Sequence, residues 1–342
     1  MAPKFKGGSD DWLDDQKSAR RSGSKKKGAK LSEGPLPAAD ANATVIEVFP
    51  KLCKVRLDAD GGFRLCSYRR ANVMAPDPDG VRSRAPVSAG DRVKVTSTDP
   101  QSGVVEGVCE RLNFLARPAP DKDGKLIHVL ASNLDVLVIV ASVHQPDFSP
   151  GLVDRFWIAA IRAGIPVIVV ASKFDLWQGG PDRPWALYEK LGLSVYEVCS
   201  KTGNGVEEVL QALQGKRVVF CGHSGVGKTS LLNSLLGGDI GKVGDTNEFT
   251  GKGRHTTTSA VLIEGPGGAS WIDTPGVREF GLWGIDPDGL RDFFPEFGGL
   301  PCTGSGCTHQ EHETECQARE LPRHPNYLRI LQSLLEDREE KA

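Results

Sequence analysis

The chain has 342 residues, with 42 Lys and Arg against 44 Asp and Glu and a formal charge of −2. That length accommodates two or three domains with cores of their own, and the balance excludes a uniformly basic nucleic-acid binder, so any polyanion contact must come from local patches. No apolar run is long enough to span a bilayer and no signal-peptide pattern opens the chain, which predicts a cytoplasmic protein with no membrane partner. Its eight cysteines then read as thiols or metal ligands rather than a disulfide framework.

Residues 1–36 are Lys-, Ser- and Gly-rich and carry too few apolar side chains to order themselves. Seven basic residues and no acidic one fall between Lys17 and Lys30. The block reads either as an arm for phosphate backbones or as a solvated tail. Asp10, Asp11, Asp14 and Asp15 argue against a transit peptide.

Residues 37–118 read as short strands: Ala43–Val48, Leu52–Leu57, Gly62–Ser67, Asp91–Thr96 and Gly103–Arg111. Five such strands between turns predict a small β-barrel of the OB type. Arg56, Arg64, Arg69, Arg70, Arg82, Arg84, Arg92, Lys94, Arg111 and Arg117 give it a basic surface suited to RNA. Its few aromatics, Phe49, Phe63 and Tyr68, limit base stacking. Residues 119–296 alternate strands and helices. Strands are expected at Asp135–Ala141, Val167–Ala171, Val195–Cys199, Arg217–Cys221, Ser259–Glu264 and Ala269–Asp273. Helices are expected at Leu152–Ala163, Pro184–Leu191, Val206–Leu213 and Ser230–Leu236. In the first helix Val153, Phe156, Trp157, Ala160 and Ile161 share a face. The pattern is that of a parallel sheet covered by helices, an α/β domain of the P-loop class.

The chemistry centres on Gly222-His223-Ser224-Gly225-Val226-Gly227-Lys228-Thr229, which matches G-x-x-x-x-G-K-[ST] between a predicted strand and a predicted helix. Such a loop turns backbone N–H groups toward a phosphate, and the helix N-terminus beginning near Ser230 adds its dipole. Lys228 is expected on the β- and γ-phosphates and Thr229 on Mg²⁺. Asp273-Thr274-Pro275-Gly276 ends a later strand. Asp273 is expected in the Mg²⁺ shell, and the Gly276 N–H at the γ-phosphate. Gly253-Arg254-His255-Thr256-Thr257 lies between, and Thr256 or Thr257 can complete the Mg²⁺ coordination when a γ-phosphate is present. Ser172-Lys173-Phe174-Asp175 resembles the N-K-x-D guanine motif. The Asp175 carboxylate accepts from guanine N1 and N2, and the Lys173 stem covers the base. Ser200-Lys201-Thr202 resembles the companion S-A-K motif. Ser172 stands where Asn is usual, which keeps guanine preference but lowers affinity. Val277 stands where many GTPases carry a water-orienting Gln, so a low intrinsic rate is expected, with His255 the internal candidate to position water.

In the C-terminal module, residues 297–342, Cys302, Cys307, His309 and Cys316 make a complete tetrahedral Zn²⁺ set with no open position, hence a structural site. His312 is the rival imidazole, although the spacing from Cys307 favours His309. An amphipathic helix, Asn326–Glu340, follows, with Leu328, Leu331, Leu334 and Leu335 turned inward.

The base motifs precede the phosphate loop, an order that resembles the circularly permuted GTPases. With a barrel before them and a cysteine cluster after, the chain from about Ala41 onward is similar to the bacterial GTPases that depend on the small ribosomal subunit (RsgA, also called YjeQ). Arg117-Pro118, Asn133-Leu134-Asp135 and Val153-Asp154-Arg155-Phe156 add to the likeness. The resemblance implies a GTP/GDP-binding factor that acts late in small-subunit assembly, contacts rRNA and is stimulated by the subunit; a monomer is expected. A second reading is an RNA-binding switch in which hydrolysis only times release. A small-molecule kinase using ATP would have no use for Lys173 and Asp175. Permutation also attaches the C-terminal module to the segment after Gly276, a route for nucleotide state to reach a partner.

Overall fold

The structure, a computed structural model, describes residues 35–68, 82–119, 126–180, 183–238, 260–273, 282–300, 307–310 and 316–339. All belong to one compact unit, Glu33–Ala342; the other unit, Met1–Ser32, lies outside the described residues, and with it the basic block.

Strands β1 (Ala43–Val48), β2 (Leu52–Leu57) and β3 (Phe63–Tyr68) form an antiparallel meander. After a two-residue β4 (Arg82–Ser83), β5 (Arg92–Ser97) and β6 (Ser102–Val108) form a second hairpin. β6 pairs parallel with β3, and β5 pairs with β1, so the five long strands close into a barrel of OB-like topology. Period-two alternation sends Cys53, Val55, Cys66, Val93 and Val105 into its core, all fully buried. The basic surface is less available than the composition implied. Arg56, Arg64, Arg92 and Arg111 are ion-paired with Glu264, Asp60, Asp58 and Asp91. Arg69, Arg70 and the side chain of Arg82 lie outside the described residues.

A hairpin that the sequence reading did not anticipate, β7 (Phe114–Pro118) with β8 (Leu126–Ser132), leads out of the barrel. Then come β9 (Val136–Ser142), helix α1 (Pro150–Ala163), β10 (Val167–Ser172), α2 (Ala186–Lys190), β11 (Ser194–Val198), α3 (Val206–Leu213), β12 (Arg217–Cys221), α4 (Lys228–Leu236), β13 (Val261–Glu264) and β14 (Ser270–Asp273). The sheet runs β11-β10-β9-β12-β14-β13, parallel except for β13. One pairing, Glu47 opposite Val261, joins barrel and sheet. The central strands β9, β10 and β12 are buried on both faces, with α1 and α2 packed on one side of the sheet and α3 and α4 on the other, which is why these three read as apolar runs.

α1 carries two buried faces. Val153, Phe156, Trp157 and Ala160 meet the sheet, while Ile158 packs into the C-terminal core. Ile161, expected on the sheet side, is 37% exposed, because Val153, Phe156, Trp157 and Ala160 already fill the stripe that faces the sheet. The C-terminal core is built from short 3₁₀ turns, Pro287–Phe293 and Pro295–Phe297, and helix α5 (His324–Glu339). Leu331 and Leu334 are buried there, but Leu335 is 39% exposed, since Tyr327, Ile330, Leu331 and Leu334 already fill the stripe facing Phe294 and Phe297.

Candidate nucleotide and metal sites

The sheet order gathers what the sequence scatters. The phosphate loop leaves the C-terminal end of β12, residues 172–175 leave β10, residues 200–202 leave β11, and Asp273 ends β14 beside β12. All lie on the carboxyl edge of one parallel sheet, where ligands bind in open α/β folds. Gly222 has φ 147°, and a Cβ there would lie 2.1 Å from the Val140 carbonyl oxygen, so only glycine lets the loop start so close to β9. Gly227, at φ 92°, caps α4, which therefore begins at Lys228, two residues before the expected start. Lys228 Nζ donates to the carbonyls of Gly222 at 2.6 Å and His223 at 2.7 Å, curled over its own loop. His223, Ser224, Gly225, Thr229 and Ser230 are exposed, while Val226 is buried in the core and anchors the loop from beneath.

The Ser172 hydroxyl, 2% exposed, donates to the Val226 carbonyl at 2.5 Å. The bridge from base motif to phosphate loop is thus made by the shorter side chain, which has no second polar arm for a base. Lys173 sits in a left-handed conformation, φ 55°, and its ammonium donates to the Gln145 carbonyl in the loop after β9. Asp175 pairs with Lys201 at 3.0 Å. That hydrogen bond holds the Asp175 carboxyl below its usual range, which keeps it an anionic acceptor at neutral pH. Ser200 is tied to the phosphate-loop helix, because Ser234 Oγ donates to its carbonyl at 3.1 Å. Phe174 packs edge-on against Trp185, 6.3 Å between centroids, and so fixes the turn that presents Asp175.

In the C-terminal module Cys307, His309 and Cys316 bring their ligand atoms within 4.8 Å of one another. His309 Nδ1 lies 3.5 Å from Cys307 Sγ and 3.2 Å from Cys316 Sγ. A tetrahedral zinc centre with ordinary Zn–S and Zn–N bonds separates such atoms by about 3.5 Å, so the donor set fits that ion. Three successive carbonyls pin the loop: Cys307 O accepts from Arg291 at 3.0 Å, Thr308 O from Tyr327 at 2.6 Å, and His309 O lies 2.8 Å from His324 Nε2. His309, left-handed at φ 57° and 6% exposed, thereby turns inward between the two thiols. Cys302 and His312, the imidazole that rivals His309, lie outside the described residues, as do His255, Thr256, Thr257, Gly276 and Val277.

The sequence profile of the RsgA GTPase family matches residues 108–283, just over half of the chain. The chain belongs to the RsgA GTPase family. Small ribosomal subunit biogenesis GTPase RsgA 2 of Bacteroides thetaiotaomicron is 34% identical over 76% of this chain and 87% of its own length. The RsgA of Chlorobaculum tepidum is 37% identical over 73% and 86%. Among solved structures, YjeQ from Thermotoga maritima superposes with TM-score 0.63 at 27% identity, covering 86% of this chain and 98% of that one. YloQ, described as a circularly permuted GTPase, superposes with TM-score 0.62 at 23% identity, over 86% and 95%. The permuted fold and GTP hydrolysis that these motifs forecast are therefore properties of this chain's family.

Within this family member the structure adds two features that motif reading missed. The first is a buried ionic network. Arg323, 1% exposed, pairs with fully buried Asp154 at 2.8 Å and with Glu296 at 2.8 Å. Tyr188 and Asn326 also donate to Asp154, at 2.9 and 2.7 Å. The guanidinium lies 4.4 Å from the Trp157 ring and 4.5 Å from that of Phe294, so α1, α2 and the C-terminal module meet at one charge cluster. A signal existed: Asp154 and Ile158, four apart, share the helix face away from the sheet, and an acid beside a fully buried isoleucine calls for a partner. The second is a clamp on the chain just after residue 281. Arg162 stacks on Trp283 at 3.8 Å and donates to Gly284 O at 3.2 Å. No spacing rule finds it, because its members are 121 residues apart.

Proposed function

We propose that this chain is a GTP hydrolase that serves late assembly of the small ribosomal subunit, binds rRNA through its barrel and is switched on by the subunit. The observation that carries the reading is the meeting of Asp175, Lys173 and Ser172 with the phosphate loop through the Ser172–Val226 bridge. The names of its relatives, small ribosomal subunit biogenesis GTPases, supply the partner. In this reading Asp175 selects guanine, Lys173 and Phe174 shape the base pocket, and Ser200 and Lys201 support its far side. Gly222 to Ser230 hold the phosphates. Lys228 leaves its loop carbonyls for the β- and γ-phosphates, which offer a stronger, charged acceptor. Thr229, Thr256 or Thr257, and Asp273 present the oxygen donors that suit Mg²⁺, which supplies charge neutralisation at the phosphates when bound. Gly276 meets the γ-phosphate and His255 orients water. Cys302 completes a structural zinc site with Cys307, His309 and Cys316, and zinc ties the 307–316 loop to α5. Residues 37–118, 119–296 and 297–342 act as RNA-binding, GTPase and zinc modules behind a basic tail, residues 1–36. We read the protein as a cytoplasmic monomer; no helix among the described residues is long and apolar enough to cross a membrane.

The test is GTP hydrolysis measured with and without purified small subunits, with ATP as competitor. GTP turnover should be slow alone and rise strongly with subunits, the rise should weaken as salt is added, and Lys228→Ala should abolish both rates. Fast turnover without subunits, or a rate the subunits do not move, refutes the reading.

A further inference from the structure

β1 is buried along its length, with only Val48 partly open. Val45 belongs to the barrel core, whereas its neighbour Ile46, 7% exposed, belongs to the core of the GTPase sheet together with Leu262 and Ile272. The register of β1 against β2 slips by one between Val45 and Glu47, which makes Ile46 the bulged residue. A bulge re-aims a side chain, and this one sends a single aliphatic group out of the barrel into the neighbouring domain.

Ile46 shares that core with the hairpin β13–β14, which lies in the chain between the 253–258 motif and Asp273. The two ends of the hairpin are held differently. At the turn, the Gly215 N–H donates to the Gly267 carbonyl at 3.1 Å and the Ser270 N–H to the Lys216 carbonyl at 2.9 Å, which pins that end to the loop before β12. At the open end Val261 is opposite Asp273 on one side and Glu47 on the other, so one backbone row reads Glu47, Val261, Asp273. At about 4.8 Å between strands, the barrel backbone comes within roughly 10 Å of the Asp273 backbone. A Cβ placed on Gly90 would lie 3.3 Å from Ile272 Cδ1, so the barrel turn before β5 packs directly on β14. Near the turn of the hairpin there is instead a cleft of about 670 Å³, lined by Arg56 and Arg92 of the barrel and by Glu264, Gly265 and Ser270. The Arg56–Glu264 ion pair spans it, but both side chains are largely exposed and such a pair holds weakly. Barrel and hairpin are thus joined firmly at the open end and loosely at the turn.

We propose that Ile46 is a positioning residue for GTP hydrolysis: its bulge sets the open end of β13–β14, and a displacement of the barrel reaches Asp273 through β13. A close-packed joint passes such a shift on instead of absorbing it. The inference rests on the reading that the subunit docks on the barrel and switches hydrolysis on, and it names the route.

Full-length wild type, Ile46→Ala, Ile46→Val and Val55→Ala decide it. Val55 is fully buried in the barrel core, so its truncation loosens the barrel without touching the joint. In hydrogen–deuterium exchange of the nucleotide-free proteins, amides of residues 261–273 should exchange faster in Ile46→Ala and at nearly the wild-type rate in Val55→Ala. With saturating subunits, kcat of Ile46→Ala should fall by up to about 100-fold, the scale of a 1 Å misplacement, while GDP affinity and sedimentation with subunits in GDP stay at the wild-type level. Ile46→Val should recover most of both losses; if Ile46→Ala does not fold, the residual shift of Ile46→Val against Val55→Ala carries the comparison. Exchange and kcat unchanged in Ile46→Ala overturn the proposal. So do parallel losses in Ile46→Ala and Val55→Ala, which make Ile46 ordinary packing, and so does lost sedimentation of Ile46→Ala, which places it in the docking surface. An unaffected Ile46→Ala beside a stimulated wild type leaves the GTPase reading standing. A wild type that subunits do not move removes that reading, and exchange with the intrinsic kcat then decides the role of Ile46.

Discussion

Arg323→Met removes the cation from the cluster that fastens the C-terminal module to α1. Arg323 and Asp154 are 1% and 0% exposed and Glu296 is 12% exposed, so their attraction is little screened and no water replaces the lost partner. Deleting one member of such a buried pair costs about 3–5 kcal/mol, because the charge left behind stays desolvated. Methionine retains most of the packing against Trp157 and Phe294, so the loss reports charge rather than a cavity. At 2–4 °C per kcal/mol the thermal midpoint should fall by roughly 6–20 °C. The loss should also depend on pH. Burial already pushes the Asp154 and Glu296 carboxyls upward, and Arg323 pulls both back. Without Arg323 both rise further above their unfolded values. A carboxyl raised in the folded state favours folding below its unfolded pKa and loses that advantage as pH climbs through the folded one. The variant should therefore be closest to wild type near pH 5 and furthest from it near pH 8. Urea unfolding followed by tryptophan fluorescence at both pH values measures this. A loss below about 1 kcal/mol at pH 8, or one larger at pH 5 than at pH 8, would refute the reasoning.

Asp175→Asn should weaken GTP binding and improve binding of xanthosine triphosphate, because an amide exchanges one acceptor for a donor; titration with both nucleotides decides it, and an unchanged ratio removes the guanine-site assignment. Ser172→Asn should tighten GTP by about 2- to 12-fold, the worth of one added hydrogen bond, and tighter binding by the wild type would show that the Ser172–Val226 bridge is already the better arrangement. Metal analysis of the purified protein should find one zinc per chain, lost in Cys307→Ala; if His309→Ala keeps full zinc while His312→Ala loses it, the inward-turned His309 is not the ligand.

The residue order alone determined which chemical parts are present. G-x-x-x-x-G-K-[ST] needs contiguous backbone to wrap a phosphate, so its signal is local, and so are the turn of Ser172-Lys173-Phe174-Asp175 and the close spacing of Cys307, His309 and Cys316. The apolar runs of β9, β10 and β12 likewise announced themselves, because strands buried on both faces tolerate no polar alternation. What required tertiary structure was every relation between parts distant in sequence. The Ser172 hydroxyl reaches Val226 only because β10 and β12 flank β9. The Ile161 and Leu335 side chains point outward because neighbouring positions had already filled the available core. Composition counted arginines on the barrel, but only packing showed which acids hold them. Pairing of Asp154 with Arg323 spans 169 residues, and no periodicity carries information over that distance. Local chemistry is written in spacing; partnership across the chain is decided by burial, which removes water and makes each polar group find its partner in three dimensions.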